Sequence, residues 1–180
     1  VGEYYLTGSS SKKINTPHTG TGRITEVTMY PMTLYETGES NGKVSLSKLV
    51  EEGDYDIDGM TSDIELEDLF FSVCRGGWPR CMALKKDSAK LEIAKDYYRQ
   101  IYQKDISAID GISRNPEWAR TLMWSYARNM ATTAKRKNIY ADVKATQNVT
   151  DVTLASYVEV LEALYVVRDI DAWTPHLRSK

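Results

Sequence analysis

From Ile64 to Leu164 the apolar residues of this chain recur every three or four positions, and that spacing leaves few folds open to it. One side of a helix repeats at this period, whereas a strand alternates every second residue. Ile64, Leu66, Leu69, Phe70 and Val73 fall on one stripe, expected to be the buried face of a helix over 64–75. Leu91, Ala94, Tyr98, Ile101 and Tyr102 make a second stripe, on a long helix from Ser88 to Lys104 whose other side is charged. Trp118, Leu122, Tyr126 and Met130 make a third, expected to reach Thr133, and a shorter helix over Ile139–Thr146 follows. Leu154, Tyr157, Val158, Leu161 and Leu164 are the core face of a last helix, capped by Thr150 or Asp151. The expectation is a mainly α (α+β) fold built on a helical bundle.

The punctuation between these stripes agrees with them. Asn115-Pro116-Glu117 is a helix start: a side chain that caps, a ring that fits the first turn, then an acid near the positive end of the helix. Gly76-Gly77 stops the helix before it, Pro79 opens another, and Trp78 between them is expected to anchor the corner by packing. Ser45–Val50 starts a short helix, and the acid-rich 51–63 segment reads as an exposed loop. Asp105-Ile106-Ser107 closes the long helix. Asp105 has no partner carboxylate at metal-binding spacing, so it is expected to end the helix or pair with a base.

Bulk properties exclude little. A chain of 180 residues makes one domain or two small ones. A net charge of −2 gives no basic footprint for nucleic acid. Cys74 and Cys81 are too few for a disulfide framework, which points to a reduced, cytoplasmic setting. No apolar run approaches the roughly 20 residues of a membrane span, and no signal peptide is visible. Both ends look cut, so the chain is expected to be a fragment of a longer protein.

The first 36 residues carry a different pattern. Tyr4-Tyr5-Leu6 reads as a strand apolar on both faces, broken by Gly8 and a serine run. Gly22–Glu36 holds a second, with Ile24, Val27 and Met29, ended by Pro31 because proline gives no N–H to a ladder. The order "LTGSS", "GRITEVTMYPMTLYE", "RGGWP", "YYRQIYQKDIS", "ARNMAT", "YVEVLEALYVV" and "AWTPHLRSK" resembles a family of prokaryotic AAA-type ATPases with a C-terminal nuclease-like domain.

That resemblance implies three parts: 1–36 as the end of the ATPase core, 37–114 as a helical lid-like region, and 115–180 as a winged-helix-like region. The phosphate-loop segment would precede Val1, and the nuclease-like domain would follow Lys180. In the parent, ATP and Mg would be bound, Thr7 or Ser9 would sense the terminal phosphate, and Arg23 would reach a neighbouring subunit's nucleotide. Read without the resemblance, the Thr-Gly-Ser run is a turn and Arg23 a surface tether. The chain itself has no phosphate loop. Gly38–Val44 fails the pattern, with three residues between its glycines and Val44 after Lys43, and Asn41-Gly42 reads as a turn. Deprived of the central strand, the two strands would pair with each other, pair with a second copy of the chain, or stay mobile.

Strand patterning at Tyr165–Ile170 after three helices suggests a winged helix. Its third helix exposes Asp151, Ser156, Glu159 and Glu162, which would repel a DNA backbone. Lys135-Arg136-Lys137 is a basic corner that either touches a nucleic-acid backbone or is a solvated turn. Two functions follow: coupling nucleotide state to a flanking domain, or docking protein or DNA with no nucleotide link.

Overall fold

The computed structural model describes residues 4, 5, 7, 25, 27–53 and 55–170. They are mainly helical: α1 (Leu46–Glu51), α2 (Leu66–Arg75), α3 (Pro79–Met82), α4 (Asp87–Gln100), a π turn (Ile101–Asp105), α5 (Ile106–Ala108), α6 (Pro116–Arg128), α7 (Arg136–Lys144) and α8 (Asp151–Ala163). They fall into two compact units: the described residues of 26–98 make one, and those from Arg99 onward, together with those up to Thr25, make the other. No helix among the described residues is long and apolar enough to cross a membrane.

The two N-terminal strands are a correction. Tyr4, Tyr5, Val27 and Met29 belong to no strand and stand exposed, Val27 at 82% and Met29 at 89%. Leu6 and Ile24 lie outside the described residues. A strand needs a ladder partner and a cover for its apolar face, and among the described residues neither is supplied. Tyr165–Ile170 forms no strand either. There the chain curls back on α8: the Val166 N–H donates to Leu161 O at 2.9 Å and the Tyr165 N–H to Glu162 O at 3.1 Å. Tyr165 takes the left-handed conformation, φ 58°, that glycine ordinarily fills after a helix.

The core lies in the 99–170 unit. α8 is its centre, with Leu154, Tyr157, Val158, Val160, Leu161 and Ala163 buried. α6 adds Ala119 and Leu122, and α7 adds Ile139, Tyr140 and Val143. The caps are those the sequence announces. Asn115 accepts from the Glu117 N–H at 2.9 Å, and Thr150, rather than Asp151, caps α8 by accepting from the Thr153 N–H at 3.2 Å. Arg114 is buried with both its terminal nitrogens on Asp110, at 2.7 and 2.8 Å, and it also donates to Ile106 O. The Tyr157 hydroxyl accepts the Asn115 N–H at 2.7 Å, which fastens the start of α6 to α8.

The π turn follows from the same core. Ile101 and Ile106 are both buried, at 3% and 0% exposure. Five residues along an α-helix place side chains about 140° apart, so an unbroken helix would bury Ile101 together with Asp105. The π turn takes up one extra residue, which brings Ile106 to the core in place of the aspartate. Deletion of the exposed Gln103 should therefore let the helix run through as α with Ile106 still inside. Far-UV circular dichroism should show undiminished helix and a melting midpoint within a few degrees of wild type. Deletion of Thr121 from α6, where no extra residue is stored, should unfold the unit.

Candidate functional site

The 27–98 unit is built the other way round. Among its described residues only Ser72, Arg75 and Cys81 are buried. Of the stripe expected to face inward on α2, Leu66, Phe70 and Val73 face out, at 62%, 61% and 63% exposure, while Ile64 and Leu69 are half-buried. The opposite face of α2 carries Ser72 and Arg75 inward, toward Glu39.

That inward face is a polar pin. Arg75 donates to Glu39 Oε2 at 2.7 Å, Ser72 to Glu39 Oε1 at 3.0 Å, and the Thr37 hydroxyl to Glu39 Oε2 at 2.6 Å. Arg75 also reaches the Met82 sulfur at 3.6 Å, while its Nε finds no partner among the described residues. Burial alone would push the Glu39 carboxyl up. The hydrogen bonds from Thr37, Arg75 and Ser72, with the Arg75 charge, outweigh it and hold that carboxyl below its usual 4.5.

The "RGGWPR" corner completes the pin. Gly76 ends α2 at φ 73°, a backbone that L side chains rarely adopt. Gly77 has no room for a side chain: a Cβ there would sit 2.2 Å from Met32 O and 2.8 Å from Met32 N, and the Met32 N–H donates to Gly77 O at 2.8 Å. Trp78 meets Tyr97 edge-on, with centroids 4.5 Å apart, and Pro79 opens α3. An open groove of about 370 Å³ lies beside the pin, lined by Glu39, Ile64, Asp68, Phe71, Asp87 and Lys90. Lys90 pairs with Asp87 at 2.9 Å and lies 5.6 Å from the centre of the Phe71 ring, so its charge is already engaged. The described residues contain no group of three or more His, Cys, Asp or Glu side chains placed to hold a metal ion.

Of the residues singled out from the sequence, Thr7 is exposed and in no regular element, and Ser9 and Arg23 lie outside the described residues. Lys43 pairs with Asp63 at 3.6 Å, and Asn41 donates to Asp63 at 2.8 Å and to Thr61 O at 3.0 Å, so this segment is tied to its own chain. Lys135 and Lys137 flank the start of α7 and are exposed. Arg136 between them is spent on two carboxylates, Glu162 at 2.6 Å and Asp169 at 2.7 Å, and the Asp169 hydrogen bond raises its already high pKa. Beside it, burial pushes the Tyr126 phenol up to about 12, and its hydroxyl has no partner among the described residues. Sequence reasoning missed Glu39, Arg75 and the outward turn of α2. The signal available was Arg75 itself, a charge on a helix whose other side is apolar.

Residues 66–180, from the first residue of α2 onward, match the model of a domain of unknown function, DUF8612. The chain belongs to that family. No curated protein and no solved structure matches it.

Two outcomes test this geometry. Gly77→Ala must move the Met32 backbone, so a cost of about 2 kcal/mol or more is expected. It should appear as faster proteolysis within 27–98, with the 99–170 core still protected. The Glu39 carboxyl is depressed on folding, so its stabilisation is present above pH 4.5 and is lost as pH falls through the lower folded value. Glu39→Gln should flatten that acid limb in a pH series of unfolding midpoints. An unchanged slope would show that the pin does not contribute.

Proposed function

We propose that this chain is a docking and relay segment of a nucleotide-driven protein. It seats the outward faces of α1 and α2 on a phosphate-loop core and passes the state of that core to a flanking domain. The observation that carries this reading is the reversed α2, with Leu66, Phe70 and Val73 in solvent and Arg75 inside. Fully burying such a side chain is worth about 1.5–3 kcal/mol, and at this exposure more than half of that is forgone. α1 adds to the surface, with Leu46 75% and Val50 78% exposed. A unit with so little apolar core of its own gains stability from a partner that covers these faces.

The resemblance supplies the occupant, since the 22–36 stretch is similar to the end of an AAA-type core and α1 follows soon after it in the chain. ATP and Mg would be held by that core. Thr7 or Ser9 would sense the terminal phosphate and Arg23 would reach a neighbour's nucleotide, and the relay would act by shifting populations between docked positions. The acidic outer face of α8 and the occupied Arg136 weigh against DNA as the main partner, which leaves Lys135 and Lys137 as weak contacts at most. The second reading, a protein-docking module without nucleotide linkage, rests on the same apolar surface.

One experiment separates them. A phosphate-loop core encoded by the same gene is titrated against this chain with ADP or a non-hydrolysable ATP analogue. Docking should weaken at least about tenfold, or 1.4 kcal/mol, in Phe70→Glu, whose exposed position leaves helix content unchanged. It should also differ between the nucleotides. Loss in Phe70→Glu with no nucleotide difference selects the second reading. Undiminished docking by Phe70→Glu rejects both.

A further inference from the structure

The long helix that joins α4 to α5 stores one residue more than an α-helix needs, and its sequence can place that residue in two positions. Tyr97-Tyr98 and Ile101-Tyr102 are adjacent apolar doublets, four residues apart. In the register observed, Ile101 is the buried member of its doublet and Tyr102 lies partly buried against the same core. The Ile106 N–H closes the wide turn on Ile101 O. If the extra residue moved one turn toward the N-terminus, residues 98–104 would rotate by about 100° and advance by about 1.5 Å. Tyr102 would then stand four residues before Ile106, on the same face, and would replace Ile101 in the core. Residues on either side would keep their places, because the extra residue is still present.

We propose that this π turn slides between these two positions, exchanging Ile101 for Tyr102 and presenting Arg99 and Gln100 in two orientations. The Ile101-Tyr102 doublet lowers the penalty of the second position, since each register buries one large side chain at the same point. Gln100 donates to Asp105 across the observed turn at 3.5 Å, a contact at the outer limit of a hydrogen bond. This goes beyond the docking reading and does not depend on it.

The test uses the full chain and a mutant cycle with Ile101→Ser, Tyr102→Ser and the double variant, with Leu122→Ser as a core reference. A sliding turn lets Tyr102 take over in Ile101→Ser. The melting midpoint then falls by less than half the drop in Leu122→Ser, and the backbone ¹³Cα shifts of 98–104 move while those of 116–128 stay. The double variant loses more than the sum of the singles. With Gln103 deleted no extra residue remains to move, and Ile101→Ser should cost as much as Leu122→Ser. An Ile101→Ser drop as large as that of Leu122→Ser in the undeleted chain, failure of that variant to fold, or additive singles would overturn the proposal.

Discussion

Arg75 cannot be left in a dry interior without a counter-charge, and Glu39 is the group that meets it. A guanidinium buried alone would cost several kcal/mol, so the helix that carries it turns whichever face brings the carboxylate within reach. Ser72, one turn earlier, supplies a second donor to the same carboxylate, and Thr37 a third. Once that face is inward, the helical period forces Leu66, Phe70 and Val73 outward. The exposed apolar stripe is thus the geometric consequence of a satisfied ion pair. Buried charge pairs are weak evidence of stability but can specify orientation, and α2 gives that role a concrete outcome.

The 99–170 unit shows the opposite economy. Two of its ion pairs lie beside the apolar centre formed by α8: Arg114, buried and paired with Asp110, and Arg136, more exposed and paired with Glu162 and Asp169. There the apolar residues set the orientation and the ion pairs adapt to it. The π turn belongs to this regime. The core demands Ile101 and Ile106, and the backbone gives up regular α geometry to deliver both. Fixing a buried polar group in the first unit and filling an apolar centre in the second are two ways of deciding which face of a helix turns inward.

What could be read from the sequence was what depends on near neighbours. Asn115, Pro116, Thr150, Pro79 and Gly76 act within one turn of the chain, and each ends or starts a helix where its own chemistry places it. The core face of α8 was legible because Leu154, Tyr157, Val158 and Leu161 repeat over more than two turns without conflict. The direction of α2 was not, because it is set by Glu39, thirty-six residues from Arg75. Periodicity identifies an apolar side but is silent on whether that side or the other is buried. The π turn escaped for a related reason. Asp105 looked like a helix end, and only the burial of Ile106 beside Ile101 shows that the helix changes phase there instead of stopping. The N-terminal strands were inferred from β-branched and aromatic content alone, and that content specifies a strand only when a partner strand is at hand.

Family membership bears on the site through its extent. The matched region begins at Leu66, so it takes in the exposed stripe, Arg75 and the Gly76-Gly77-Trp78-Pro79 corner, but not Glu39, Thr37 or Met32. The pin is therefore closed by residues from outside the matched domain: the carboxylate that neutralises Arg75 and the backbone that Gly77 must approach both come from the 27–45 segment. A domain whose buried arginine is answered by the segment before it is coupled to whatever moves that segment. Displacing Glu39 would leave the buried Arg75 charge uncompensated, at a cost of several kcal/mol.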